Sequence, residues 1–128
     1  MGLITGPLRR RAARHFAGLD VLREDDANTF GVESRTAVQV RGNGTLAVTA
    51  DELLFAQWVP NRLERIPRAA ITEVTTTKSW LGKTIGRPLL LVRWTAGADA
   101  DAIALSVKDL DGWIAELSAP RPGATASQ

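Results

Sequence analysis

The sequence of 128 residues contains no cysteine, no tyrosine, a single histidine and no long apolar run. The lack of cysteine excludes disulfides and thiolate metal ligands, and one histidine argues against an imidazole-based zinc site. No window approaches the roughly 18 consecutive apolar residues that a membrane-spanning helix needs. The arginine-rich start is not followed by the apolar segment of a secretory signal, so we expect no export. The expected location is the cytoplasm, with peripheral attachment to the inner membrane face as an alternative.

Motifs for catalysis and nucleotide binding are also missing. Ser34, Ser79 and Ser106 have no histidine base nearby in sequence, which leaves no nucleophile and base pair. The run Gly82–Thr84 resembles the end of a P-loop, but Thr77 stands where that motif requires glycine. The four tryptophans lie mostly in apolar contexts, so we do not expect a nucleic-acid partner. We therefore expect no enzymatic activity, no catalytic residue, no cofactor and no metal.

Positive charge is concentrated at the start of the chain. The formal net charge is +2, but residues 1–19 carry four arginines and no acid, which leaves the remainder at −2. The arginines are Arg9, Arg10, Arg11 and Arg14. Leu8, Ala12, Phe16 and Leu19 fall on one side of a helical wheel, so we predict a basic amphipathic arm and linker over residues 1–28.

Two interpretations of this arm stay open. In the first, the helix lies on an anionic membrane, with Phe16 and the four arginines as the contacting residues. In the second, Phe16 and Leu19 cap the core of the domain and the arginines are solvated. The polar stretch from Arg23 to Asn28 predicts a turn or linker that leads into the first strand.

Beyond the linker, apolar residues recur at every second position, which is typical of strands. The predicted strands are Thr36–Arg41, Thr45–Thr49, Leu53–Trp58, Leu63–Ile66, Ile71–Ser79, Leu89–Trp94 and Ala102–Val107. Gly42–Gly44 predicts a tight hairpin turn between the first two of them. The glycines and the proline of Leu81–Pro88 predict a loop.

A helix from Asp109 to Ser118 is predicted to follow the last strand. Asp109 can accept hydrogen bonds from the first turn, and Leu110, Trp113, Ile114 and Leu117 share one face. A helix of about ten residues is marginal alone, so it must dock on the sheet, and Trp113 is the expected anchor. Residues 120–128 are small and polar and are expected to be disordered.

Three core motifs and the closing helix carry a family resemblance. Gly44–Thr49, Leu53–Phe55, Ile66–Val74 and the helix with Trp113 resemble the bacterial pleckstrin-homology-like (PH-like) and GRAM-like domains over about residues 30 to 118. The resemblance implies a mainly β fold: a seven-stranded, bent β-sandwich or partly open barrel with a C-terminal helix at one end. We expect this PH-like domain to span residues 29–119.

The resemblance also implies binding of phosphoinositide or other anionic lipid through cations between the first two strands. That loop offers only Arg41. Lys78, Lys83 and Arg87, beside Trp80, form a richer candidate site within a local charge of +5 between residues 58 and 93. Either Trp80 enters an interface while the cations meet phosphates, or Trp80 folds over the core and the lysines are solvated.

The leading hypothesis is a non-enzymatic PH-like binding module that docks an unknown protein partner or an anionic membrane surface. The alternative is a protein-protein adaptor or self-assembling domain without lipid binding, in which an exposed sheet edge pairs with another chain. The oligomeric state is left open by the sequence.

Overall fold

The chain was analysed as a computed structural model that describes residues 5–34 and 42–119. Two helices flank seven strands in these ranges, and short 3-10 turns occur at Arg14–Phe16 and Arg68–Ala70. The elements are α1 Thr5–Ala13, β1 Arg23–Val32, β2 Gly42–Val48, β3 Glu52–Gln57, β4 Arg62–Pro67, β5 Ile71–Trp80, β6 Lys83–Ala96, β7 Asp99–Val107 and α2 Leu110–Ser118. The predicted mainly β architecture with an N-terminal helix and a C-terminal helix is confirmed.

All seven strands belong to one antiparallel sheet in the order β4-β3-β2-β1-β7-β6-β5. The sheet does not close, so β4 and β5 are its two edges. Alternate residues of each strand point to one face, as the strand period requires. One set forms the main core with α2, and its largest fully buried members are Trp113, Leu46, Leu53, Ile66, Leu90, Ile103 and Leu105. The seven described strands thus form a single sheet that is not closed, where the sequence predicted a bent β-sandwich or a partly open barrel.

The closing helix docks as predicted. Asp109 is the N-cap of α2, and its carboxylate accepts a hydrogen bond from the Gly112 amide at 3.1 Å. Trp113 is 0% exposed in the main core, and its indole N–H donates to Asp25 Oδ2 at 2.9 Å. The anchor role of Trp113 is confirmed because both its ring and its polar atom have partners inside the domain.

The first strand lies earlier in the chain than predicted. The predicted linker from Arg23 to Asn28 forms the first part of β1, and the predicted hairpin turn Gly42–Gly44 lies within β2, opposite Ala27–Thr29. Both predictions were wrong. The predicted strand Thr36–Arg41 and the predicted tail 120–128 lie outside the described residues.

Close packing explains why glycine occupies this part of β2. A Cβ on Gly44 would lie 2.6 Å from the Ala56 carbonyl oxygen and would overlap the ring of Phe55 on β3. Gly44 therefore gives β3 room to approach β2, whereas the sequence pattern suggested a turn residue.

The predicted loop Leu81–Pro88 is also wrong. A two-residue turn joins β5 directly to β6, and its residues Leu81 and Gly82 have φ angles of 50° and 83°. Positive φ at both positions is the signature of the hairpin turn whose twist matches the flanking strands. Gly86 and Pro88 instead mark an irregular stretch of β6, where the register shifts between the Ser79–Thr84 and Thr77–Leu89 pairs.

Candidate functional site

The apolar face of the arm packs on the domain. Phe16 is 6% exposed, and Ala12 and Phe16 form a cluster with Leu54 and Trp58 on the outer face of the sheet. The partly buried Leu19 packs against the same cluster. The apolar part of the second interpretation describes the structure, because Phe16 and Leu19 already cover the sheet, but Arg9 and Arg11 are bonded to the domain and not merely solvated.

Two of the arm arginines hold α1 in place. Arg9 contacts the Asp26 carboxylate, with Nη2 2.6 Å from Oδ2, and its guanidinium carbon lies 5.0 Å from the centroid of the Trp58 ring. The hydrogen bond with Asp26 is the main cause that raises the pKa of Arg9. Arg11 donates to the Trp58 carbonyl oxygen. These cations are therefore engaged in the attachment of α1.

The other two arm arginines, Arg10 and Arg14, are exposed. Arg10 and Arg14 are four residues apart on one side of the helical segment. His15 Nε2 lies 2.9 Å from Asn61 Oδ1, which places this segment against the turn between β3 and β4. Val59 in that turn is 59% exposed. We call Arg10, Arg14, Val59, Pro60 and the exposed Arg62 the arm–turn surface.

The second predicted site lies on the β5–β6 hairpin, where Trp80 is buried. Trp80 is 7% exposed and its indole N–H donates to the Gly31 carbonyl oxygen at 3.1 Å. It packs over Leu89 and Leu91 in a separate cluster on the outer face of the sheet. The interpretation in which Trp80 folds over the core is the one that describes the structure.

The described cations of this second site, Lys78 and Arg87, have different surroundings. Lys78 is exposed on β5. Arg87 is exposed on β6, and its Nε donates to Ser106 Oγ at 3.2 Å. Lys83 begins β6, but its side chain lies outside the described part of the chain, and so does the whole of Arg41.

The basic excess between residues 58 and 93 is distributed among internal contacts. Arg65 pairs with Glu52 at 2.6 Å, and this hydrogen bond lowers the pKa of Glu52. Arg93 lies 3.3 Å from Glu73. Arg68 is buried and donates to the carbonyl oxygens of Thr49 and Glu116. The local charge therefore overstates the number of cations available to a ligand.

Sequence reasoning missed the role of the two adjacent acids of β1. Because successive strand residues face opposite sides of the sheet, Asp25 meets Trp113 of α2 and Asp26 meets Arg9 of α1. Arg23 lies over the Trp113 ring at 5.1 Å, donates to Asp25, and pairs with Asp109 at 2.6 Å. The run of four charged residues over Arg23–Asp26 was the available signal, but a polar linker explained it equally well.

The hydrogen bond between Arg23 and Asp109 has matching effects on the two groups. It is the largest cause that raises the pKa of Arg23 and lowers the pKa of Asp109. The Gly112 amide lowers the pKa of Asp109 further. This pair joins the start of β1 to the start of α2, so its role is in the attachment of the helix.

A groove of about 370 Å³ lies beside α1 on the outer face of the sheet. Its lining is mixed and consists of Arg9, Asp26, Ala27, Asn28, Asn43, Trp58, Ser106, Val107 and Lys108. The Oδ1 atom of Asn28 is buried there without a hydrogen-bond partner among the described residues. The groove is open, and its volume is at the lower end of that of small-molecule sites.

Residues 5–34 and 42–119 hold neither a cluster of metal-ligating side chains nor a membrane-spanning helix. No three or more histidine, cysteine, aspartate or glutamate side chains are grouped there so as to hold a metal ion. No helix in the same ranges has the length and apolar character needed to cross a membrane.

Comparisons with known proteins identify the fold. No family model and no curated protein matches the chain. The C-terminal domain of an unknown protein from Leishmania infantum is similar with a TM-score of 0.59 and 14% identity, covering 92% of this chain and 98% of that one. The DH/PH domains of p115-RhoGEF are similar with a TM-score of 0.57 and 12% identity, covering 92% of this chain and 38% of that one. At these identities the likeness shows the fold alone, and that fold is PH-like.

Proposed function

We propose that this protein is a non-enzymatic PH-like binding module that docks on an anionic membrane surface through the arm–turn surface. The observation that carries the proposal is Val59, which is 59% exposed at a turn that the basic arm contacts. An exposed apolar residue beside a basic segment is typical of a peripheral membrane contact. The resemblance to the bacterial PH-like and GRAM-like domains, which rests on the core motifs, belongs to the same proposal.

The cations of this surface are available to a ligand. Arg10, Arg14 and Arg62 are exposed, and none pairs with a carboxylate among the described residues. Each cation near an anionic membrane contributes about 1 kcal/mol, so three together favour binding by roughly 100-fold. Partial burial of Val59 adds about 1 kcal/mol. Because most of this free energy is electrostatic, binding should weaken steeply as salt rises.

The β5–β6 hairpin also carries exposed cations, but it is a weaker candidate for membrane docking. Its aromatic residue, Trp80, is buried, and Arg87 is already hydrogen-bonded to Ser106. The two surfaces therefore differ in the apolar component and in the freedom of their cations, which makes them suitable for a matched comparison.

The test is co-sedimentation of the full chain with phosphatidylcholine vesicles, with and without phosphatidylserine, at low and high salt. The variant Arg10→Gln/Arg14→Gln removes two charges from the arm–turn surface. Lys78→Gln/Arg87→Gln removes two charges from the hairpin and serves as the matched control. We expect binding to phosphatidylserine vesicles to fall about 30-fold in the first variant and no more than about 3-fold in the second.

Two results would overturn membrane docking through this surface. If the hairpin variant loses more binding than the arm variant, the docking surface is the hairpin. If phosphatidylserine changes nothing at low salt, where charges are least screened, the protein does not dock on anionic membranes. The protein-partner hypothesis then takes its place and is addressed by affinity capture with the same two variants.

A further inference from the structure

The two edges of the sheet differ in their protection against pairing with another chain. The edge strand β4 is short and carries Arg62, Glu64 and Arg65, and it ends at Pro67, which has no amide donor. Charged residues, proline and short length are the usual features that keep an edge from recruiting a further strand. The β4 edge therefore has the features of a protected edge.

The opposite edge, β5, has no proline and is longer, and its two charged residues, Glu73 and Lys78, flank an uncharged centre. It is ten residues long, and Trp80 is its only buried residue. The centre of the strand, Thr75–Thr77, is uncharged and β-branched, which favours extended backbone. Among the described residues β5 pairs only with β6, so the hydrogen-bonding groups along its other side face outward.

We propose that β5 pairs with β5 of a second copy of this chain, antiparallel across a two-fold axis, so that two sheets join into one. Directly opposed residues of an antiparallel strand pair lie on the same face of the sheet. When the two strands are identical and related by a two-fold axis, this requires that one residue lies opposite its own copy at the axis. The regular part of the β5–β6 pairing runs from Glu73 to Thr77 and has Thr75 at its middle. We place the two-fold axis at Thr75.

The charges along β5 favour a second copy of this chain as its partner. With Thr75 at the axis, Glu73 faces Thr77 of the second copy and Lys78 faces Thr72, so no like charges oppose each other. A symmetric pairing of β4 centred on Glu64 or Arg65 would place that charge opposite itself. The net charge of +2 adds little long-range repulsion between copies.

The test is to measure the mass of the full chain by sedimentation velocity, without lipid, at protein concentrations from about 1 µM to about 1 mM. Small interfaces dissociate within this concentration range. We expect the mass to double within this range. Thr75→Lys and Thr75→Glu each place like charges at the axis and should weaken the dimer at least about 5-fold. An equimolar mixture of the two variants should associate more strongly than either alone.

Ala98→Lys and Ala98→Glu, in the exposed turn between β6 and β7, are the matched controls and should leave the dimer unchanged. Thr76→Lys, at an exposed position diagonal to its own copy, repeats the test if a Thr75 variant lowers the melting temperature. A single-chain mass up to about 1 mM, or a dimer that the charged variants leave unchanged, would refute the inference. Because no lipid is present, this outcome is independent of membrane docking.

Discussion

Replacing Trp113 by alanine should remove a large part of the stability of the fold. Trp113 is 0% exposed, and its indole N–H is bonded to Asp25, so the substitution leaves a cavity and removes one of the two donors to the Asp25 carboxylate. Large aromatic residues in cores cost about 3–5 kcal/mol on truncation to alanine. Because Asp25 is partly exposed, water replaces the lost donor and adds little. The free energy of unfolding should therefore fall by about 3–5 kcal/mol, out of the usual total of about 5–15.

The assay is urea unfolding followed by far-ultraviolet circular dichroism, since the other three tryptophans would complicate fluorescence. Trp113→Phe keeps most of the ring volume but loses the indole donor, and it should cost clearly less than the alanine variant. Val59→Ala, at an exposed position, should change the free energy of unfolding by no more than about 0.5 kcal/mol. A loss below about 1 kcal/mol for Trp113→Ala would refute the anchor role of this side chain.

Two further substitutions test the packing of the sheet and the charge at α2. Gly44→Ala should destabilise the fold by about 1–3 kcal/mol, because its Cβ would lie 2.6 Å from the Ala56 carbonyl oxygen. In the control Gly86→Ala the added Cβ meets nothing within 4 Å, so equal urea midpoints for these two variants would contradict the close approach of β2 and β3. The hydrogen bonds from Arg23 and Gly112 lower the pKa of Asp109, so its contribution is present above the ordinary aspartate pKa of about 3.9 and is lost as pH falls through the folded value. The difference in melting temperature between the wild type and Asp109→Asn should therefore be constant near neutral pH and shrink below about pH 4, and a difference that grew on acidification would contradict the pairing.

The parts of the fold that follow from local chemistry were predictable. The helix over Asp109–Ser118 has a capping acid and one apolar face, and strands such as Leu53–Trp58 are apolar runs bounded by turn residues. The first strand was not predictable by the same reasoning. Arg23–Asp26 reads as a polar linker because the contacts that hold it to α1 and α2 are made with residues far away in sequence.

The candidate sites, too, were only partly predictable from the sequence. The sequence contained the cations of the arm and the hairpin, but it left open whether Phe16 and Trp80 are exposed. Burial of both side chains depends on surfaces that other strands form, and no local pattern reports those surfaces. Val59 was missed for the converse reason, since a single apolar residue before proline resembles a strand end in the sequence.

The sequence by itself determined the mainly β class, six of the seven described strands, the closing helix with Trp113 as anchor, and the excess of cations at the start of the chain. These features depend on short-range periodicity, capping and composition, which are encoded within a few neighbouring residues. Only the tertiary structure decided that the arm packs on the sheet, that Trp80 is buried, and that β5 lies at an edge of the sheet. These features depend on contacts between residues far apart in the chain, where burial of apolar surface and pairing of charge outweigh local preference.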